Sequence, residues 1–177
     1  MRTLHAGDLV LEPQSVEHAA EMFAVLSDPA IYEFENAPPA SAAWLAGRFR
    51  RLESRRSPHG RELWLNWVVR VPTGELAGYV QATVRPGEHA QVAYEFTSRF
   101  WGRGIASAAV RAMLAEVARE HGVAGFFATL KQTNWRSARL LERLGFTAVD
   151  DAPPHGLALE PDERLMRLQA GPPAAAP

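Results

Sequence analysis

The chain has 177 residues, 47% hydrophobic and 22% charged, the composition of a globular domain with room for a hydrophobic core. Its formal net charge of −1 leaves no basic excess to neutralise a phosphate backbone, so a nucleic-acid partner is not expected. Cysteine is absent and the six histidines (positions 5, 18, 59, 89, 121 and 155) lack paired spacing, which excludes disulfides, a thiolate nucleophile and the usual zinc sites.

Leu9-Val10-Leu11, ending at Pro13, reads as a first strand, and Ser15 as the N-cap of an amphipathic helix from Val16 to Leu26. Pro29, Pro38 and Pro39 bracket an irregular segment, Ile31 to Asn36. Ser41 starts a second helix with Trp44, Leu45, Phe49 and Leu52 on one side, and Pro58 and Gly60 end it. The stretch Arg48 to Arg61 holds six arginines against Glu53 alone. It reads either as a solvated helix face with its exit loop or as a contact surface for an acidic partner.

From Leu63 the hydrophobic period changes. Leu63 to Val71 and Leu76 to Val84 form a hairpin around Pro72-Thr73-Gly74-Glu75, and Val92 to Thr97 follows as a third antiparallel strand. Gly102 opens a long helix through His121, closed by Gly122. Val123 to Leu130 is a buried strand, Asn134 to Leu144 a helix ended by Gly145, and Phe146 to Val149 and Arg164 to Leu168 the last strands. The pattern predicts a mixed, mostly antiparallel α/β sheet of about seven strands with helices on both faces. Residues 1–169 form one domain in this reading, and residues 170–177 a disordered Pro/Ala tail.

One strand runs straight into Trp101-Gly102-Arg103-Gly104-Ile105-Ala106-Ser107 and then a long helix. A helix N-terminus carries about half a positive charge and four unpaired N–H donors, and Gly102 and Gly104 let an anion approach them closely. Arg103 adds charge and Ser107 a hydroxyl. No third Gly follows at Rossmann spacing and no Gly-Lys-Ser/Thr is present, so neither of the commonest nucleotide cradles applies. About thirty residues on, Asn134-Trp135-Arg136-Ser137 opens a helix that ends in Leu144-Gly145-Phe146. Asn134 is a strong N-cap residue in its own right.

Together these two segments resemble the GNAT acetyltransferase superfamily. Its cofactor signature, Gln/Arg-x-x-Gly-x-Gly/Ala at a strand-to-helix turn, matches at Gly104 and Ala106; its second signature matches at Asn134, Ser137 and Leu144-Gly145-Phe146. The Trp-Gly-x-Gly-x-Ala form of the turn is similar to the branch that includes the ribosomal-protein N-terminal acetyltransferases. The resemblance covers roughly Leu4 to Gln169. It implies a GNAT-like fold and an N-acetyltransferase that moves an acetyl group from acetyl-CoA to a primary amine, on a protein N-terminus or a small molecule, by direct attack in a ternary complex. It also implies that the pyrophosphate sits on Trp101 to Ser107, that backbone groups near Phe96 and Thr97 pair with the pantetheine arm, and that Asn134 orients it. Acetyl-CoA is then the co-substrate, with no metal. The resemblance leaves the protein a monomer or a homodimer.

Many relatives carry a leaving-group Tyr where this sequence has Leu141, which makes Ser137 the branch's candidate acid, with Tyr32 and Tyr94 behind it. That missing Tyr also supports an alternative, a non-catalytic acyl-CoA-binding regulatory domain with the same fold. Glu95, of opposite strand parity to Tyr94 and Phe96, reads either as a solvent-facing strand residue or as the candidate base; Glu33, Glu35, Glu88, His89 and His155 stand in loops that border the substrate or simply face solvent. Tyr32, Phe34, Trp44 and Trp67 are candidate acceptor-site aromatics, with core packing the simpler reading of the two tryptophans. No apolar run approaches the roughly 20 residues that cross a bilayer, and no leader pattern opens the chain, so a cytoplasmic location without a membrane partner is expected.

Overall fold

A near-continuous apolar run from Leu63 buries both faces of a hairpin, and the rest of the fold is layered on it. The structure, a computed structural model, describes residues 1–87, 89–150 and 159–169. Among these, eight strands form one sheet: β1 (Leu4–Ala6), β2 (Leu9–Pro13), β3 (Leu63–Arg70), β4 (Leu76–Arg85), β5 (His89–Phe96), β6 (Gly125–Lys131), β7 (Thr147–Val149) and β8 (Glu163–Gln169), in spatial order β1-β2-β3-β4-β5-β6-β8-β7. All pairs are antiparallel except β5–β6. The helices are α1 (Ala19–Leu26), α2 (Ala42–Leu52), α3 (Ile105–His121) and α4 (Trp135–Arg143).

Strand alternation sorts the core into two layers. Leu65, Trp67 and Val69 of β3 join Val80, Ala82 and Val92 under Ala109, Val110, Met113 and Val117 of α3. On the other face, Val68 and Leu76 pack against Ala19, Met22 and Leu26 of α1 and Leu45 and Phe49 of α2. At Gly78 of β4 a Cβ would fall 2.1 Å from the Glu95 carbonyl oxygen, so only glycine lets β5 lie this close there.

Several boundaries differ from the sequence expectation. The eighth strand is β1, a three-residue segment turned back onto β2 through Gly7-Asp8; it is too short to show a period. Residues Val16–His18 form a single 3₁₀ turn before α1. The long helix begins at Ile105 and not at Gly102, because Gly104, with φ of 78°, is its left-handed N-cap, and Ser98–Phe100 form a 3₁₀ turn ahead of it. β5 starts at His89, earlier than Val92.

The feature that positions the site is a split in the sheet. The parallel strands β5 and β6 pair only from His89 opposite Gly125 to Gln91 opposite Phe127. Beyond that, β5 stays with β4 as far as Phe96, while β6 stays with β8 as far as Lys131. The strands therefore diverge toward their C-terminal ends, where α3 and α4 begin.

Candidate active site

A cavity of about 960 Å³ occupies this divergence and extends between α2 and the sheet. On the β5 side its rim is the turn before α3. Trp101, Gly102, Gly104, Ile105, Ala106 and Ser107 line it. No side chain caps α3, and its first intrahelical bond is Ala108 N–H to the Gly104 carbonyl, so the preceding N–H groups stay available to an anion. Gly102 and Gly104 have φ of 73° and 78°, and a Cβ built at either would meet no protein atom within 4 Å. The turn is thus an open cradle with unpaired donors, and the residues present fit a pyrophosphate.

Trp101 is fixed by its own indole N–H, which donates to the Phe96 carbonyl at 2.8 Å. The Arg136 guanidinium lies over its ring, 4.7 Å from the centroid, and also over Phe34 at 5.3 Å. The Thr97 N–H donates to the Ala77 carbonyl at 3.0 Å and its hydroxyl to Asp28 at 2.8 Å. Alternation then turns the Phe96 backbone, not that of Thr97, toward the opening. Arg103 is exposed beside the Phe100 ring, and neither it nor Thr97 lines the cavity.

On the β6 side, Asn134 is the buried N-cap of α4, accepting from the Ser137 N–H at 3.1 Å. Its amide also donates to Glu35 at 2.9 Å, across 99 residues of sequence. Ser137 lines the cavity one turn into α4. Leu141 is buried in the core and presents only methyl groups to the cavity, while the Tyr94 hydroxyl reaches across from β5 to donate to the Ser137 carbonyl at 3.3 Å. Burial pushes the Tyr94 phenol up to about 12, against the opposing effect of its hydrogen bond to Ser137, so it is protonated at neutral pH.

The next residue projects to the opposite face. Glu95 lines the α2 side of the cavity and accepts from Asn36 at 3.5 Å. Burial holds its carboxyl above the usual carboxylate range, with the Glu35 charge adding; a hydrogen bond with Tyr79, the Arg48 charge and Asn36 pull the other way. Tyr32, Phe34 and Glu35 complete this part of the lining, and Tyr32 is anchored by its hydroxyl to the Leu26 carbonyl at 2.8 Å. Glu33 pairs with Arg136, so the 33–36 segment spans from α4 to β5.

The far floor is polar. Asn66 of β3 lies opposite Gln81 of β4, and the Gln14 N–H donates to the Asn66 carbonyl at 2.9 Å. Gln14 and Asn66 are buried, and the Gln14 Nε2 has no hydrogen-bond partner among the described residues. These amides had one sequence signature, a polar residue set into apolar strands as Leu65-Asn66-Trp67 and Val80-Gln81-Ala82. Trp44, 47% exposed, lines the α2 wall, so it is not a core residue. Trp67 is core on the α3 face, its indole N–H bonded to the Arg2 carbonyl at 2.9 Å. His89 lies at the start of β5, at the closed end of the split. Glu88 and His155 lie outside the described residues. Among the described residues no group of three or more metal-binding side chains occurs, and no helix is long and apolar enough to cross a membrane.

Known structures share this fold. A ribosomal-protein-S5-alanine acetyltransferase from Vibrio fischeri superposes with a TM-score of 0.77 at 18% identity, over 94% of this chain and 96% of that one. A ribosomal L7/L12 α-N-protein acetyltransferase in complex with coenzyme A gives 0.77 at 17%, over 94% and 97%. A putative GNAT-family acetyltransferase from Bordetella pertussis gives 0.72 at 25%, over 94% and 99%. No curated protein matches the sequence. The family model of the acetyltransferase (GNAT) domain matches residues 8–147, most of the chain and all of the cavity lining, and the chain belongs to the GNAT acetyltransferase family.

Proposed function

We propose that the protein is an acetyl-CoA-dependent N-acetyltransferase acting on a primary amine, with residues 1–169 as one catalytic unit. The observation that carries this is the placement of Glu95 and of the Tyr94–Ser137 pair on opposite sides of one cavity that opens at the split between β5 and β6. Acetyl-CoA supplies the activated acetyl thioester. The α3 N-terminus at Gly102 to Ser107 holds its pyrophosphate, and the Phe96 backbone and Asn134 border its pantetheine arm.

Glu95 receives the proton that the acceptor ammonium must lose before it becomes a nucleophile. A carboxyl held above its ordinary range is closer to neutral pH and so a better matched base. On the other side, Leu141 offers no hydroxyl, and Ser137 and Tyr94 are the hydroxyl side chains of the lining that would supply a proton to the departing thiolate. The protein's larger contribution is positioning, since the attack joins two bound reactants without a covalent enzyme intermediate. Thiol release from acetyl-CoA, followed over a panel of small amines, polyamines and peptides, tests this reading. Release stimulated by at least one amine class, with mass addition of one acetyl group, is the expected result; coenzyme A binding without turnover on any amine would leave the non-catalytic alternative.

A further inference from the structure

The α2 wall of the cavity carries an electrostatic asymmetry that acetyl transfer alone does not use. From Arg48 to Arg61 six arginines face one glutamate, a net of +5, within a chain whose formal charge is −1. At about 100° per residue, Trp44, Arg48 and Arg51 fall on one stripe of α2, beside the inward stripe of Leu45, Phe49 and Leu52. Trp44 and Arg48 line the cavity, Arg51 continues the stripe, and Arg56 and Arg61 follow in the exit loop. Arg48, Arg50, Arg51, Arg56 and Arg61 are all exposed, and none of them joins a salt bridge among the described residues. Arg55 is different: it is half-buried and donates to the Gln14 carbonyl. The stripe starts close to the chemistry, since the Arg48 charge acts on both Glu95 and Tyr79.

Unpaired like charges held together repel one another, and an anionic ligand relieves that repulsion. Trp44 to Arg51 spans about 10 Å of helix at 1.5 Å per residue, which an extended peptide covers in about three residues. A small amine seated at Glu95 does not reach Arg51 or Arg56, whereas a polypeptide whose N-terminus is seated there does. A long nucleic acid fits poorly, because the rest of the chain carries a net of −6 and offers no overall basic excess for a phosphate backbone. We propose that the Arg48–Arg51 stripe, together with exposed Arg56 just beyond the end of α2, is the docking surface for an acidic polypeptide, with Asp or Glu residues a few positions beyond the acetylated amine. This rests on the N-acetyl transfer reading above.

The test compares two peptides of equal length, one with glutamates and one with glutamines at the third to sixth positions. Initial rates are measured at low and high salt. At low salt the acidic peptide should be preferred roughly tenfold in kcat/KM, as a few rim charge pairs provide, and the preference should collapse at about 1 M salt, where the screening length is about 3 Å. Arg51→Glu and, as a milder change, Arg51→Gln with Arg56→Gln should remove most of that preference; Arg111→Glu, an exposed reversal on α3, should keep it. Equal rates for the two peptides, a salt-insensitive preference, or the same loss in Arg111→Glu would each overturn the proposal. So would stronger inhibition by an RNA oligonucleotide than by polyglutamate of equal charge. Acetylation of small amines but of neither peptide overturns this docking surface and leaves the acetyl-transfer reading standing, whereas turnover on no amine at all removes both.

Discussion

Replacing Glu95 with Gln separates its chemistry from its packing. Gln has nearly the same volume, and its Oε1 can still accept from Tyr79 and Asn36, so the cavity keeps its shape. What is lost is a proton acceptor. A general base contributes about 10²–10⁴-fold, or roughly 2.7–5.5 kcal/mol of transition-state stabilisation, so kcat should fall by at least about 100-fold while acetyl-CoA affinity stays within a few-fold. The fold should gain. Burial raises the Glu95 pKa on folding, so between its unfolded and folded values the native state binds more protons than the unfolded chain. Stability therefore falls as pH rises through that window, and the deficit is complete above the folded value. Glu95→Gln removes it: the variant should melt higher than wild type at pH 8, and the gap should close as pH falls to the ordinary carboxylate range near about 4. Steady-state kinetics across pH, with melting curves at matched pH, provide the readout. In wild type the acidic limb of kcat/KM should lie above the ordinary Glu value, and in the variant it should vanish. A variant that keeps more than about a third of wild-type kcat would falsify the assignment of Glu95 as base.

Acetyl-CoA at 100 times its Kd should add about 2.7 kcal/mol to native stability, or roughly 5–10 °C in melting temperature for a chain of this size, and ATP far less; equal shifts would count against a pantetheine channel. Gly104→Ala places a Cβ at φ of 78° where no protein atom lies within 4 Å, so it should cost about 1–2 kcal/mol of stability from the backbone alone. In calorimetry the same Cβ should weaken coenzyme A at least about tenfold, and unchanged binding would make the turn structural only. Ser137→Ala and Tyr94→Phe together should lower kcat about 100-fold or more with the melting temperature changed by a few degrees, and the single variant with the larger effect identifies the proton donor. If both singles retain most of the rate, a water molecule takes that role.

Features whose signal lies within a few residues are legible in the chain before it folds. Gly102 and Gly104 before a long apolar-striped helix mark an anion cradle, because φ and the helix N-terminus are local properties. Asn134 announces a cap and Glu95 the opposite strand face from Tyr94, since capping offset and strand period are local too. The arginine run was equally legible as charge, though not as a stripe beside a cavity. Which of two neighbours, Phe96 or Thr97, turns its backbone to the opening follows from long-range pairing, because it depends on the β4 register at Ala77. The tertiary structure also sent Trp67 to the core and Trp44 to the channel wall, brought Gln14, Asn66 and Gln81 into one floor, and set the Tyr94 hydroxyl against Ser137. The contacts that assemble the site join residues 43, 59 and 99 positions apart. No local period records such pairings; they follow from how two layers of helices close on a split sheet, where burial and register together choose the partners.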